Sequence, residues 1–346
     1  MKNIAVLMST YNGESYISEQ IESIFNQNFD DKKWNLTLYV RDDGSTDQTQ
    51  EIVKKLSQKY NIKFDFEGPN LGFAKSFYSL LNNAEADYYF FADQDDIWTE
   101  NKLTIFLKRF SDIEKNQQFK NIGVFSDAWV ANENGESIGR KLLDKRSPRI
   151  KNGNLGLTEQ LFEYYAQGAS MAVNHEVVEK LRLLPFTELP YKESHDHFIG
   201  LVVSYAGYLS FIDEPTLFYR QNGNNVYGAR SNSKESLIKK INLIFSRVQT
   251  VQILMLSAEL VSGILSPYGD QSRYEELNQL LTKNNFFSRL QFFVKYRHYA
   301  SLANPIVVAA LYALLFKSHY TLQQQIQALI DRNQIHENYM GTATKL

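Results

Sequence analysis

Short apolar segments recur along the first third of the chain, and this rhythm constrains the fold more than any other feature. They cover residues 4–8, 36–40, 62–66 and 88–92. A new segment therefore begins roughly every 30 residues, and the stretches between them carry apolar residues at the three- and four-residue spacing of amphipathic helices. Further strands are predicted at 122–130, 208–212 and 216–219. Strands that alternate with helices predict an α/β fold with a mostly parallel sheet, right-handed crossovers and helices on both faces.

Three of the predicted strands end in loops that are rich in polar side chains. These loops are residues 9–13, 41–47 and 93–96. Because parallel strands end at the same edge of a sheet, the three loops are expected to converge there. The sequence therefore predicts a ligand site at this edge. Within the second loop, Asp47 is expected only to shape the turn and cap the next helix.

The loop after residues 88–92 carries three carboxylates, Asp93, Asp95 and Asp96. Carboxylates this close repel one another unless a cation or protons neutralise them. Oxygen ligands suit Mg²⁺ or Mn²⁺, and such ions also bind substrate phosphates. The alternative is an acidic turn before a helix, because carboxylates favour a first helical turn. The convergence of three polar loops favours the cation site.

Composition excludes several classes of protein. The 346 residues carry a net charge of −2, so no excess of positive charge points to nucleic acid as a partner. Cysteine is absent, which excludes disulfides and thiolate metal sites. The N-terminal apolar run is too short for a signal peptide, and no apolar stretch reaches the ~20 residues that span a bilayer. We therefore expect a cytoplasmic protein.

The pattern changes near residue 232, which predicts a catalytic domain over 1–232 and a helical region over 233–346. No acidic residue lies between Glu276 and Asp331, whereas basic and aromatic residues are frequent there. Helices that are basic on one side and apolar on the other bind membrane surfaces. We therefore expect residues 283–317 to contact the inner face of the cell membrane peripherally. The alternative is packing on the catalytic domain or on a second subunit of a homo-oligomer.

Four motifs in the first 100 residues resemble those of family 2 glycosyltransferases of the GT-A fold. They are Ser9-Thr-Tyr-Asn-Gly13, Arg41-Asp-Asp-Gly-Ser-Thr-Asp47, Asn70-Leu-Gly72 and Asp93-Gln-Asp-Asp-Ile-Trp98. Three later motifs resemble those of bacterial rhamnosyltransferases that build cell-wall and capsular polysaccharides. These are Gln167-Gly-Ala-Ser-Met171, His195-Asp196 and Tyr219-Arg-Gln-Asn-Gly-Asn-Asn225. The resemblance covers about residues 1–230.

This resemblance implies an inverting, metal-dependent transfer of a sugar onto a lipid-linked or polymeric glycan. The implied donor is dTDP-rhamnose, and a UDP-linked glucose, galactose or N-acetylhexosamine is the alternative. The implied cofactor is Mg²⁺ or Mn²⁺, because a metal held by carboxylates stabilises the charge of a leaving diphosphate. Inversion also requires a base that takes the proton of the acceptor hydroxyl.

The resemblance implies donor-binding residues position by position. Ser9 and Tyr11 lie against the nucleoside base, and Asp43 hydrogen-bonds the pyrimidine. Asp93 matches the first acid of the metal motif and contributes to donor binding. Asp95 matches the acid that contacts the metal on the diphosphate.

It also implies that Asp196 is the catalytic base, with His195 where other members usually carry Glu. A protonated histidine beside Asp196 is expected to keep it ionised, and His195 is expected to make a structural hydrogen bond. Trp98 either stacks on the acceptor or anchors the core. The acceptor and loop candidates are Trp98, Gln167, Gly168, His195 and Arg220.

Two other functions remain open on the residues alone. A sugar nucleotidyltransferase would share the sheet, the nucleotide and the metal, but it usually grips triphosphate with a basic loop after the first strand. Residues 9–13 carry no cation. A non-catalytic binding module would have lost metal acids or base, and all are present.

Overall fold

The structure is a computed structural model, and it describes residues 1–116, 118–143, 155–157, 160, 165–185, 194–221, 254–269 and 285–295, with single residues at 272, 275, 279, 324, 327 and 328. Its strands are β1 (Lys2–Thr10), β2 (Trp34–Asp42), β3 (Ile62–Asp65), β4 (Tyr88–Ala92), β5 (Ile97–Trp98), β6 (Ile122–Ala131), β7 (Ser137–Lys141), β8 (Met171–Asn174) and β9 (Tyr208–Arg220). Its helices are α1 (Ile17–Phe25), α2 (Thr49–Leu56), α3 (Phe73–Asn83), α4 (Lys102–Glu114), α5 (His175–Arg182), α6 (His195–Ala206), α7 (254–264) and α8 (Phe286–Lys295).

In the described part of the chain these strands form one sheet in the order β3-β2-β1-β4-β8-β6-β9-β5, with β7 beside β6. The first four strands in this order, β3, β2, β1 and β4, are parallel to one another, as the alternation of strands and helices predicts. Beyond β4 the sheet is mixed, because β8 runs antiparallel to both β4 and β6. The α/β class is confirmed, and the parallel arrangement belongs mainly to its N-terminal half.

Strand β9 replaces the two short strands predicted at 208–212 and 216–219. It pairs with β6 along its length, and the register shifts where Asp127 faces Pro215. Proline has no N–H to donate to a ladder, so strands accommodate it at such irregularities. The prediction of two strands was wrong because the proline interrupts the pairing without ending the strand.

Both faces of the sheet are buried, and successive residues of β1 supply opposite cores. Ala5 and Leu7 belong to one apolar cluster with α3, α5, α6 and α7, whereas Val6 and Met8 belong to another with α1, α2 and α4. Residues two apart on a strand point to the same face. Coverage on both faces leaves the strand ends as the open edge of the fold.

Parts of the C-terminal region pack on this same core. Leu254 to Leu265 contribute buried side chains to the cluster that contains α6, and so do Phe292 and Phe293 of α8. Phe287 on α8 is 79% exposed. The predicted boundary at 232 and most of the predicted membrane stretch lie outside the described residues. No helix within the described ranges has the length and apolar character needed to cross a bilayer.

Candidate functional site

A cavity of about 740 Å³ opens at the carboxyl ends of β1, β2 and β4. Nine predicted site residues line it: Ser9, Tyr11, Asp43, Asp93, Asp95, Gln167, Gly168, His195 and Asp196. The strand-end loops therefore converge with two segments that follow more than 70 residues later in the chain, around 167–169 and 194–196. Trp98 and Arg220 are absent from the described lining.

The loop after β1 is held in place by residues 93–96, which follow β4 and are called the acid loop here. The amide of Gln94 exchanges two hydrogen bonds with the backbone of Tyr11, each 2.9 Å long. A side chain at Gly13 would collide with Gln94, so this close approach requires glycine there. Tyr11 is 53% exposed and lines the cavity. Sequence reasoning missed Gln94, whose role depends on a contact between loops 83 residues apart.

Asp43 organises the loop that carries Asn70 to Gly72. Its Oδ1 accepts hydrogen bonds from Arg41 (2.6 Å), Ser76 (3.1 Å) and the Leu71 N–H (2.7 Å). Its Oδ2 accepts one from the Gly72 N–H at 2.8 Å. A carboxylate oxygen can accept two or more hydrogen bonds, so Oδ2 can accept one further donor such as a base N–H.

These contacts hold Asp43 as a carboxylate. Burial raises its pKa, but the hydrogen bonds from Leu71, Arg41 and Gly72 outweigh burial and lower the pKa below its usual value. By contrast, Asp47 accepts from the Thr49 and Glu14 backbone N–H groups at 3.0 Å each. Asp47 therefore shapes the turn before α2, as expected.

We expect Asp43→Asn to destabilise the fold by ~3–5 kcal/mol, the usual effect of breaking one partner from a buried ion pair. The Arg41–Asp43 pair is buried, with side chains 3% and 5% exposed. Since the folded-state pKa is lowered, the contribution is present above about pH 4 and is lost as pH falls further. Urea unfolding of both proteins at pH 7 and at about pH 2, below the lowered pKa of Asp43, measures this. Asp112→Asn, which breaks an exposed pair with Lys108, is the control, and equal effects of the two substitutions would contradict the prediction.

The acid loop concentrates negative charge on the cavity wall. Burial, followed by the charges of Asp95 and Asp196, raises the pKa of Asp93 to about 7. Asp93 and Asp95 are half-buried and line the cavity, whereas Asp96 is 0% exposed and accepts the Arg220 N–H at 3.1 Å. A cation beside Asp93 and Asp95 would relieve this repulsion, so these two residues fit a divalent metal.

Within the described residues no group of three or more acidic or histidine side chains converges on one metal position. Mg²⁺ and related ions commonly use one or two carboxylates and complete their shell with water and substrate phosphates. Two acids on the wall of a large cavity match this pattern. Asp96, which sequence reasoning grouped with them, faces the interior.

Arg220 and Trp98 are buried next to the acid loop and do not line the cavity. Arg220 is 2% exposed, and its guanidinium donates to the carbonyls of Asp95 and Glu133 at 2.7 Å and to Glu19 Oε2 at 2.6 Å. Trp98 is 3% exposed and packs on the ring of Phe90. Of the two alternatives for Trp98, the structure agrees with the core anchor. Neither residue is on the cavity wall, so the acceptor contact considered for them is not supported.

Asp196 lies in the first turn of α6, and two N–H groups fix its carboxylate. Oδ2 accepts the Gly168 N–H at 2.7 Å, and Oδ1 accepts the His197 N–H at 2.9 Å. A Cβ at Gly168 would lie 2.7 Å from His195 Nε2 and 3.3 Å from Asp196 Oδ2. Glycine at 168 therefore permits the close approach that holds Asp196 in the cavity.

His195 stacks instead of making the hydrogen bond expected of it. Its ring lies 3.9 Å from that of Phe77, and neither ring nitrogen has a hydrogen-bond partner among the described residues. Burial lowers the pKa of His195, and it lowers the pKa of His197 to about 4. Both rings are neutral near pH 7, so the expectation that a protonated histidine stabilises Asp196 was wrong.

Comparison with known proteins identifies the family of this chain. The model of glycosyl transferase family 2 matches residues 5–182. The dTDP-rhamnosyl transferase RfbG of Shigella flexneri is 29% identical over 254 residues, which cover 68% of this chain and 78% of that protein. The poly(ribitol-phosphate) beta-N-acetylglucosaminyltransferase TarS of Staphylococcus aureus (strain Mu50) is 38% identical over 104 residues, or 30% of this chain and 18% of TarS.

Among solved structures, the crystal structure of S. aureus TarS 1–349 in complex with UDP aligns with a TM-score of 0.49 and 18% identity. The alignment covers 98% of this chain and 92% of that one. The family model covers more than half of the chain, including the loops after β1, β2 and β4. With these motifs on the wall of one cavity, the chain belongs to glycosyl transferase family 2.

Proposed function

We propose that this chain is an inverting, metal-dependent glycosyltransferase that moves L-rhamnose from dTDP-rhamnose onto a growing cell-wall or capsular glycan. The observation that carries the proposal is the placement of Asp93, Asp95 and Asp196 on one cavity wall. Because all three line the same cavity, the metal-binding acids and the base can act on one substrate.

In the proposed reaction, Asp196 takes the proton of an acceptor hydroxyl as that oxygen attacks the anomeric carbon of the donor. The bond between this carbon and the diphosphate oxygen breaks, and the electron pair leaves with the diphosphate. Asp93 and Asp95 would hold a divalent cation that stabilises this charge when it is bound. Ser9, Tyr11 and Asp43 bind the nucleoside, with the exposed ring of Tyr11 offering a stacking surface.

Rhamnose is favoured over the UDP-sugar alternative because the rhamnosyl transferase aligns with a larger share of this chain than the N-acetylglucosaminyltransferase does. The dTDP-rhamnosyl transferase aligns over 68% of this chain, whereas the N-acetylglucosaminyltransferase aligns over 30%. The nucleotidyltransferase alternative is disfavoured, because the described cavity lining contains no lysine or arginine to grip a triphosphate.

The proposal also covers the acceptor, a lipid-linked glycan, and the location of the enzyme at the membrane. A lipid-linked glycan would bring the enzyme to the inner face of the membrane, and the basic, aromatic stretch over 283–317 would contact that surface. This contact, the domain boundary at 232 and a homo-oligomer stay predictions.

A donor panel tests the proposed reaction. Purified protein is incubated with dTDP-rhamnose, UDP-glucose, UDP-galactose and UDP-N-acetylglucosamine, each with Mn²⁺, with Mg²⁺ or with EDTA, and nucleotide release is measured. We expect the fastest metal-dependent release from dTDP-rhamnose. Faster release from a UDP-sugar would support the alternative donor, and equal rates in EDTA would contradict the metal requirement.

A further inference from the structure

Lys102 is a fully buried lysine that the proposed reaction does not use. It is the first residue of α4, and its side chain is 0% exposed. Lysine is almost never fully buried unless it is paired. A cation at a helix N-terminus also opposes the helix dipole. Both effects oppose this placement, so neighbouring groups must offset them.

Aromatic rings and carboxylates near Lys102 stabilise its buried ammonium group. The Lys102 ammonium lies 4.2 Å from the centre of the Trp98 ring and 5.7 Å from that of Phe106. Burial lowers its pKa to about 7, while the charges of Asp96 and Asp93 raise it. Lys102 in turn lowers the pKa of both acids. Trp98 belongs to β5, which directly follows Asp96, so Lys102 packs against a residue just after the acid loop.

The ammonium also reaches the segment that holds the base. Lys102 Nζ donates a 2.6 Å hydrogen bond to the carbonyl of Ala169, which is 67 residues away in sequence. The preceding residue, Gly168, donates its N–H to Asp196 Oδ2 at 2.7 Å. The Gly168–Ala169 segment therefore binds Lys102 through the Ala169 carbonyl and binds Asp196 through the Gly168 N–H.

We propose that Lys102 is a positioning residue that couples the acid loop to Asp196 through the Gly168–Ala169 segment. Its side chain joins that segment to Trp98 in β5, directly after the acid loop, so that the base and the metal-binding acids keep a fixed spacing. The inference rests on the proposed function for the roles of Asp95 and Asp196. The tether itself is a property of the protein without substrate and can be measured separately.

Hydrogen exchange of the substrate-free protein tests the tether. Lys102→Met keeps the length of the side chain and removes the ammonium. We expect peptides that cover 167–171 to exchange roughly tenfold faster than in the wild type, because local opening is no longer resisted by the Ala169 bond. Peptides from β2, on the far side of β1, should be unchanged. Lys102→Gln restores an N–H donor and is expected to recover part of the protection.

Lys108→Met is the matched control. It lies on the same helix, and its side chain is 77% exposed in a surface pair with Asp112. Equal acceleration in the Lys102 and Lys108 variants would indicate general loosening of α4 and would overturn the proposal. Wild-type exchange at 167–171 in Lys102→Met would overturn it as well.

Kinetics distinguish positioning from damage to packing. We expect Lys102→Met to lower kcat by roughly 10², the effect of a displacement of about 1 Å at a reacting group, with a donor KM within about threefold of wild type. A parallel loss of donor binding would show that the cavity itself is damaged and would count against positioning. If the wild type transfers no sugar, the proposed function fails, and the exchange rates still decide the tether.

Discussion

Asp196→Asn should lower sugar transfer by ~10²–10⁴ while leaving donor and metal binding close to wild type. This is the usual contribution of a positioned general base. The carboxylate faces the cavity between two N–H groups, from Gly168 and His197. Asparagine has nearly the same shape, but it cannot accept the hydroxyl proton. Its amide also presents one N–H₂ group where the carboxylate accepted a hydrogen bond, so some displacement of Gly168 is expected.

The measurement compares turnover with donor affinity in the same variant. Nucleotide release gives turnover, and calorimetric titration with the nucleoside diphosphate and Mn²⁺ gives affinity. Asp213→Asn is a suitable control, because Asp213 lies in the middle of β9 and its side chain is exposed. Near-normal transfer by Asp196→Asn would remove Asp196 as the base. Glu193, which lies outside the described residues, would then be the next candidate.

Asp95→Ala should abolish the metal-dependent stabilisation of the protein by nucleotide and lower transfer by ~10³ or more. Lewis-acid stabilisation of a leaving group contributes several kcal/mol, and this substitution removes one of the two acids that line the cavity. Thermal unfolding with nucleoside diphosphate, in the presence of Mn²⁺ or EDTA, measures the effect directly. The variant should keep the fold, because Asp95 is half-buried at the end of a loop braced by Arg220.

The matched control is Asp87→Ala, at the opposite end of β4. Asp87 accepts the Asn3 N–H at 2.7 Å and lies far along the strand from the acid loop. It should keep the full shift with nucleotide and metal. If Asp95→Ala also keeps that shift, the metal assignment is wrong. We expect Asp95→Ala to weaken donor binding and Asp196→Asn to leave it close to wild type, so donor affinity distinguishes the two variants.

Local sequence determined the N-terminal half of the fold. The predicted strand at 88–92 agrees with β4 residue for residue, and the predicted strands at 36–40 and 62–66 fall on β2 and β3. Apolar runs with period two, helices with apolar stripes and glycine-rich turns are properties of short windows. The convergence of the polar loops also followed, because parallel strands leave their carboxyl ends at one edge.

Contacts between distant residues could not be predicted in this way. Arg220 reads as a loop residue in its motif, yet it donates to the Asp95 carbonyl across 125 residues of sequence. His195 carries a ring that usually forms hydrogen bonds, yet three phenylalanines surround it. Packing decides which strand lies beside β4, and that strand is β8, which follows Gly168 and runs antiparallel to β4. The Gly168 N–H then meets Asp196 of α6, 28 residues later in the sequence.

The sequence by itself therefore determined the α/β class, the edge that carries the site and the acids on its wall. Only the tertiary structure decided which of these acids face the cavity and which group holds each one. The physical reason is that a motif sets the chemistry of its side chains, whereas their direction and pKa depend on partners supplied by other elements. Asp93 and Asp96 are three residues apart in one loop, but Asp93 lines the cavity while Asp96 accepts a backbone N–H of β9 in the core.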